Sequence, residues 1–173
     1  MEKCMATDIS SIYTTALRNT HALETQGLSQ MEHQLTGLEH YPEYAKTLQA
    51  HVGITREQIR RVEQALSALD ASASTLKETV TNTAGKIGAA VHALAQDETL
   101  KNLYAGYAYQ YDQIAAYRSL IVIAEAAGHP EHAPLFRKSL EEEKQAAQRV
   151  DGLIESVTRA YIERTTAGAK ADS

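Results

Sequence analysis

Apolar residues return along this chain at steps of three and four, the signature of helices with one buried face. Tyr13, Leu17, Thr20, Glu24, Leu28, Met31 and Leu35 form the first stripe and predict a helix over residues 8–36, ended by Gly37 and Tyr41-Pro42. A second stripe, Leu48, Val52, Thr55, Ile59, Val62, Leu66 and Leu69, predicts a helix over 42–69 with Pro42 in its first turn. A weaker pattern, Leu76, Val80, Ile87, Val91 and Leu94, fills 74–94 around Gly85 and Gly88. Leu103, Tyr107, Gln110, Ile114, Tyr117, Ile121 and Ala124 predict a long helix over 97–127, stopped by Gly128. His129-Pro130 then restarts the chain into a last helix over 131–164, with Phe136, Leu140, Glu143, Ala147, Val150, Ile154, Val157 and Tyr161 on its inner face.

The connections set the topology. The first two long helices are joined by a few residues, and so are the last two, so each pair is antiparallel. About 27 residues separate the pairs, enough, at about 1.5 Å per helical residue, to run the length of a bundle. The expected fold is therefore all-α: a ferritin-like four-helix bundle with a long helical crossover between helices 2 and 3. Residues 1–164 make one domain, and the small, polar 165–173 make a flexible tail.

Composition narrows the setting. The chain has 173 residues, a size for one core, with 43% apolar and 23% charged residues and no Trp. A net charge of -5 offers no broad basic field for nucleic acid. No apolar run approaches the roughly 18 residues of a membrane span, and the N-terminus has no apolar stretch like that of a signal peptide. Cys4 is the single cysteine, so no intrachain disulfide forms, which suits a cytoplasmic location.

Each long stripe carries a polar interruption near its middle: Glu24 in the first, Thr55 with His51 a turn earlier in the second, Gln110 in the third, Glu143 in the fourth. In the expected topology these fall in one layer. Buried carboxylates are costly unless paired, protonated or bound to metal. Bundles of this kind build dinuclear iron or manganese sites from two glutamates and two Glu-x-x-His pairs. No histidine here has a glutamate three residues before it, which favours a satisfied polar layer over a metal site. His129 and His132, a loop pair without acidic help, are expected to be solvated. The tyrosines at 104, 107, 109, 111 and 117 read as core and interface packing.

Two segments carry a resemblance. Gln110-Tyr111-Asp112-Gln113-Ile114-Ala115-Ala116-Tyr117 with the following Leu120 to His129, and Leu140-Glu141-Glu142-Glu143-Lys144, resemble the third and fourth core helices of the YciE/YciF-like ferritin-like family. His51, Thr55, Gln58 and Arg61 match its second-helix His-x-x-x-Thr-x-x-Gln-x-x-Arg pattern, and Ala22-Leu23-Glu24 sits where the first helix has Ala-Glu-Lys. The resemblance implies a ferritin-like fold, homodimers, a link to bacterial stress responses and a dinuclear carboxylate site. Carried over by residue, Glu24 and Glu142 or Glu143 remain. Gly53 and Ile54 replace the second-helix carboxylates, and Gln110 and Gln113 the third-helix glutamates.

The expectation is thus a stress-associated, ferritin-like, non-catalytic protein with an incomplete dinuclear site. Glu24, Glu142, Glu143 and His51 would ligate iron or manganese if the site were occupied. Thr55, Gln110, Gln113 and Asp112 make up the rest of the polar core layer. The alternatives are a metal-dependent oxidase or peroxide-handling enzyme using the residual carboxylates, and a helical protein-interaction module.

Overall fold

The computed structural model describes residues 2–69 and 98–172. Helix α1 runs Glu2–Leu35 and α2 Pro42–Ala68. Helix α3 runs Glu98–Ala126, α4 Ala133–Asp151 after a 3-10 turn Pro130–His132, and α5 Ile154–Thr166. The expected crossover helix over 74–94 lies outside the described residues. Helix α1 begins earlier than the expected residue 8, since no proline or glycine stands between Glu2 and Asp8 to stop it.

Side-chain pairs give the helix directions. His21 meets Glu63 and Glu32 meets Arg56, so α1 and α2 are antiparallel. Glu24 meets Tyr117 while Tyr13 stacks on His129 beyond the end of α3, so α1 and α3 are antiparallel as well. Two helices antiparallel to the same third helix are parallel to each other, so α2 and α3 run the same way. This is the ferritin-like arrangement. Glu125 meets Arg137 across the α3–α4 turn and closes the square.

The turn between α3 and α4 follows from Gly128. With φ of 83°, it adopts the left-handed conformation that glycine alone takes at little cost. His129 N–H then bonds the Ala124 carbonyl and Gly128 N–H the Glu125 carbonyl, closing the helix end.

Two apolar clusters fill the bundle. One holds Tyr13, Leu17, Val62, Leu66, Tyr117, Leu120 and Phe136. The other holds Met31, Leu38, Tyr41, Tyr44, Leu48, Val52, Leu103 and Val150. Each fully buried side chain of this size stabilises the fold by about 1.5–3 kcal/mol. Among the described residues no helix is long and apolar enough to cross a membrane.

One expectation is corrected. The last helix is not continuous over 131–164: it breaks at Gly152-Leu153, where Leu153 N–H bonds the Val150 carbonyl three residues back and tightens the turn. Within the segment expected to form a flexible tail over 165–173, the described residues to 172 make defined contacts. Gly168, at φ 71°, ends α5 and turns the chain back. The Tyr41 hydroxyl then donates to the Ala171 carbonyl at 2.8 Å, and Thr99 N–H donates to Asp172 Oδ1 at 2.9 Å.

Candidate functional site: a buried polar layer

Between the two apolar clusters lies a layer of polar side chains with almost no exposure: Glu24, His51, Thr55, Gln58, Gln110, Gln113 and Glu143. The helical repeat explains it. Positions 51, 55 and 58 share one face of α2, and 110, 113 and 117 one face of α3, so each helix delivers adjacent turns to the same level.

Glu24, from α1, accepts a hydrogen bond at 2.5 Å from the Tyr117 hydroxyl and one at 3.1 Å from the Gln113 amide, both on α3. Glu143, from α4, accepts one at 2.6 Å from the Gln58 amide on α2. The Gln110 amide lies 3.3 Å from His51 Nε2 and donates to it, which leaves the neutral ring's proton on Nδ1. His51 Nε2 is also 3.6 Å from Glu143 Oε1.

Burial sets the charge of these groups. It raises Glu24 to about 8, against the lowering effect of the Tyr117 and Gln113 hydrogen bonds. It raises Glu143 to about 9, with Glu24 adding to the rise and Gln58 opposing it. It lowers His51 to about 4, and the nearby Arg149 lowers it further. At neutral pH both carboxyls are therefore protonated and His51 is neutral. The short His51–Glu143 approach is not an ion pair, because neither partner is charged there.

A dinuclear cluster of divalent ions brings four positive charges. Two carboxylates offset two of them, and the glutamines that complete the layer offset none. The described donor set does not fit a dinuclear centre. The layer nonetheless keeps spare capacity: Glu143 Oε2, Thr55 Oγ1, His51 Nδ1 and the side-chain oxygens of Gln58, Gln110 and Gln113 are buried without a hydrogen-bond partner among the described residues. A pocket lined by Gly27, Met31, Tyr44, Tyr109 and Arg149 reaches His51 and Gln110 from the bundle side.

The candidate residues divide. Glu24, Glu143, His51, Thr55, Gln110 and Gln113 come together as expected. Asp112 does not join them. Each step along a helix turns the side chain by about 100°, so Gln113 takes the inward direction and Asp112, one step before it, is exposed. Glu142 stands part-buried at the edge of the layer, held by a two-pronged contact with Arg61 at 2.6 and 2.9 Å. The sequence places Gln58 and Tyr117 on these stripes but does not assign them as the donors to Glu143 and Glu24. Their signal was present, since both share an inward stripe with a residue already singled out. The role of Tyr109 was not legible either: its hydroxyl donates to the Leu23 carbonyl and the end of its ring lies where a Cβ at Gly27 would stand.

The turn at 129–132 departs most from expectation. His132 is buried, and Tyr13 Oη lies 2.8 Å from its Nδ1. Glu131 supplies the acidic neighbour, with its carboxylate 3.1 Å from His129 Nδ1.

Comparison with known proteins places this geometry. A family model described as "Domain of unknown function (DUF892)" matches residues 8–163. Similar solved structures include a protein from Xanthomonas campestris, 25% identical with a TM-score of 0.76, covering 92% of this chain and 99% of that one. The E. coli stress protein YciF is 18% identical with a TM-score of 0.66, over 84% of this chain and 94% of its own. YcfI from Rhodopseudomonas palustris is 20% identical with a TM-score of 0.63, over 83% and 92%.

Proposed function

Because the chain belongs to the DUF892 family, the YciE/YciF-like group of helical bundles, we propose that it is a ferritin-like, stress-associated protein that works without a dinuclear catalytic centre. One observation carries this reading. Each buried carboxyl is held by donors from the facing helix, Gln113 and Tyr117 on Glu24 and Gln58 on Glu143. The core reaches neutrality by protonation, and the glutamines act as hydrogen-bonding struts across the bundle. The stress association follows the name of the similar YciF protein.

We further propose a homodimer formed through α3. Exposed Tyr104, Tyr111 and Val122 lie on one outward stripe of that helix, separated by seven and eleven residues. Such a stripe matches the composition of a subunit interface.

The test is elemental analysis of untagged protein grown with iron and manganese, together with peroxide and oxygen consumption. The expected result is far less than one iron or manganese per chain and no turnover. About two such metals per chain would overturn the proposal.

Glu143 Oε2 and Thr55 Oγ1, without a hydrogen-bond partner among the described residues, together with the pocket that reaches His51, favour a second reading. In it a metal-dependent oxidase or peroxide-handling activity uses Glu24, Glu143 and His51. It requires metal-dependent consumption that disappears in Glu24→Ala, and activity that survives that change removes it.

A further inference from the structure

A second grouping of ligand-type side chains lies outside the bundle core, at the turn from α3 into α4. His129, Glu131 and His132 each offer one ligand atom, and these atoms all lie within 4.8 Å of one another. The Glu131 carboxylate is 3.1 Å from His129 Nδ1 and 3.9 Å from His132 Nε2. Tetrahedral zinc bonds of about 2.0–2.1 Å place ligand atoms about 3.3 Å apart, so His129 and Glu131 already stand at a ligand-pair separation and His132 stands somewhat farther out. Two imidazoles and one carboxylate suit zinc or a similar divalent transition ion.

The turn is built to hold them. Pro130 restricts the backbone between the first two ligands, and the 3-10 turn brings Glu131 and His132 back beside His129. Beneath them Tyr13 is wholly buried, with its hydroxyl 2.8 Å from His132 Nδ1. When Nε2 takes a cation, the ring proton stays on Nδ1 and is donated to the Tyr13 oxygen. Metal-bound histidines are oriented by an outer partner of this kind. The His129 and His132 rings are 5.3 Å apart and nearly parallel, at 8°. The half-exposed His129 must therefore turn about χ2 to aim its lone pair at the shared point. The positive end of α4 opposes a cation here, but only weakly beside three ligand bonds.

We propose that His129, Glu131 and His132 form a mononuclear divalent transition-metal site, with zinc as its ligand class, held by Tyr13 and open to a fourth ligand on the solvent side. The site clamps the α3–α4 turn. It does not rest on the reading of the core, which concerns iron and manganese between Glu24 and Glu143.

The test uses full-length, untagged, metal-stripped protein titrated with zinc against a chromophoric chelator, with cobalt as a spectroscopic probe. One zinc per chain is expected, with a tetrahedral cobalt spectrum. His129→Ala and Glu131→Gln, both at accessible positions, should each weaken zinc binding about tenfold or more, and Tyr13→Phe about tenfold at unchanged stoichiometry. Glu24→Gln/Glu143→Gln should leave zinc binding unchanged. Absence of zinc binding in the wild type overturns the proposal. So does affinity that survives His129→Ala/Glu131→Gln, or affinity that falls in the core double variant instead.

Discussion

The buried layer and the α3–α4 turn both combine glutamate with histidine, yet chemically they are opposites. In the layer, the amides of Gln58, Gln110 and Gln113 and the hydroxyl of Tyr117 already donate to the groups that could bind a cation. In the turn, His132 and His129 face a carboxylate instead. Burial makes the layer's carboxyls hold their protons, whereas Glu131 stands exposed and its carboxyl lies below the usual range, through its own backbone N–H and His129. The residue types alone do not distinguish the two regions. The groups competing for the same lone pairs do.

The strongest way to break this contrast is to give the layer the charge it lacks. Gln113→Glu replaces the amide that donates to Glu24 with a second carboxyl at hydrogen-bond distance. Chemical denaturation should show a loss of about 3 kcal/mol without metal. Added manganese should recover part of that loss in the variant and none in the wild type. If the wild type is stabilised equally, glutamine is not what keeps the ion out.

A smaller effect comes from pH. Folded Glu24 and Glu143 keep their protons up to about 8 and 9, against an ordinary 4.5, so the folded state binds more protons than the unfolded state in between. Their stabilising contribution is fully present below 4.5 and is lost as pH rises through those folded values. His51, lowered from 6.5 to about 4, acts in the opposite sense: its contribution is present above 6.5 and is lost as pH falls toward 4. Urea melts across this range should show stability falling on the alkaline side. Glu24→Gln/Glu143→Gln should flatten that fall and leave the acid limb in place.

The smallest predicted change is Thr55→Val. The Thr55 hydroxyl is fully buried with no partner among the described residues, and valine has nearly the same shape. Stability should hold or rise, by about 1 kcal/mol at most. A clear loss in thermal melts would show that the hydroxyl is bonded within the layer.

The layer was legible in the sequence because it follows the helical repeat. Glu24, Thr55, Gln110 and Glu143 each interrupt a stripe near its midpoint, and the antiparallel pairs bring midpoints together. The direction of α2 relative to α3 was legible from connection lengths alone. What escaped is what periodicity does not encode. Gly152 reads as one more helical residue until the tightened turn at Leu153 is seen. Ala171 and Asp172 dock through single long-range contacts, a backbone carbonyl to Tyr41 and a carboxylate to the Thr99 N–H, which no periodicity encodes. The ligand grouping at 129–132 depends on a 3-10 turn and on Tyr13, far away in sequence, so spacing suggested only a solvated pair.

The close seat of Tyr109 over Gly27 has a consequence for how this sequence can change over time. The ring occupies the place where any larger residue at 27 would put its Cβ, and its hydroxyl is tied to the Leu23 carbonyl. A side chain at 27 therefore requires the end of the Tyr109 ring to move or residue 109 to become smaller, so the two positions constrain each other beside the polar layer. That coupling would show as paired change among related chains.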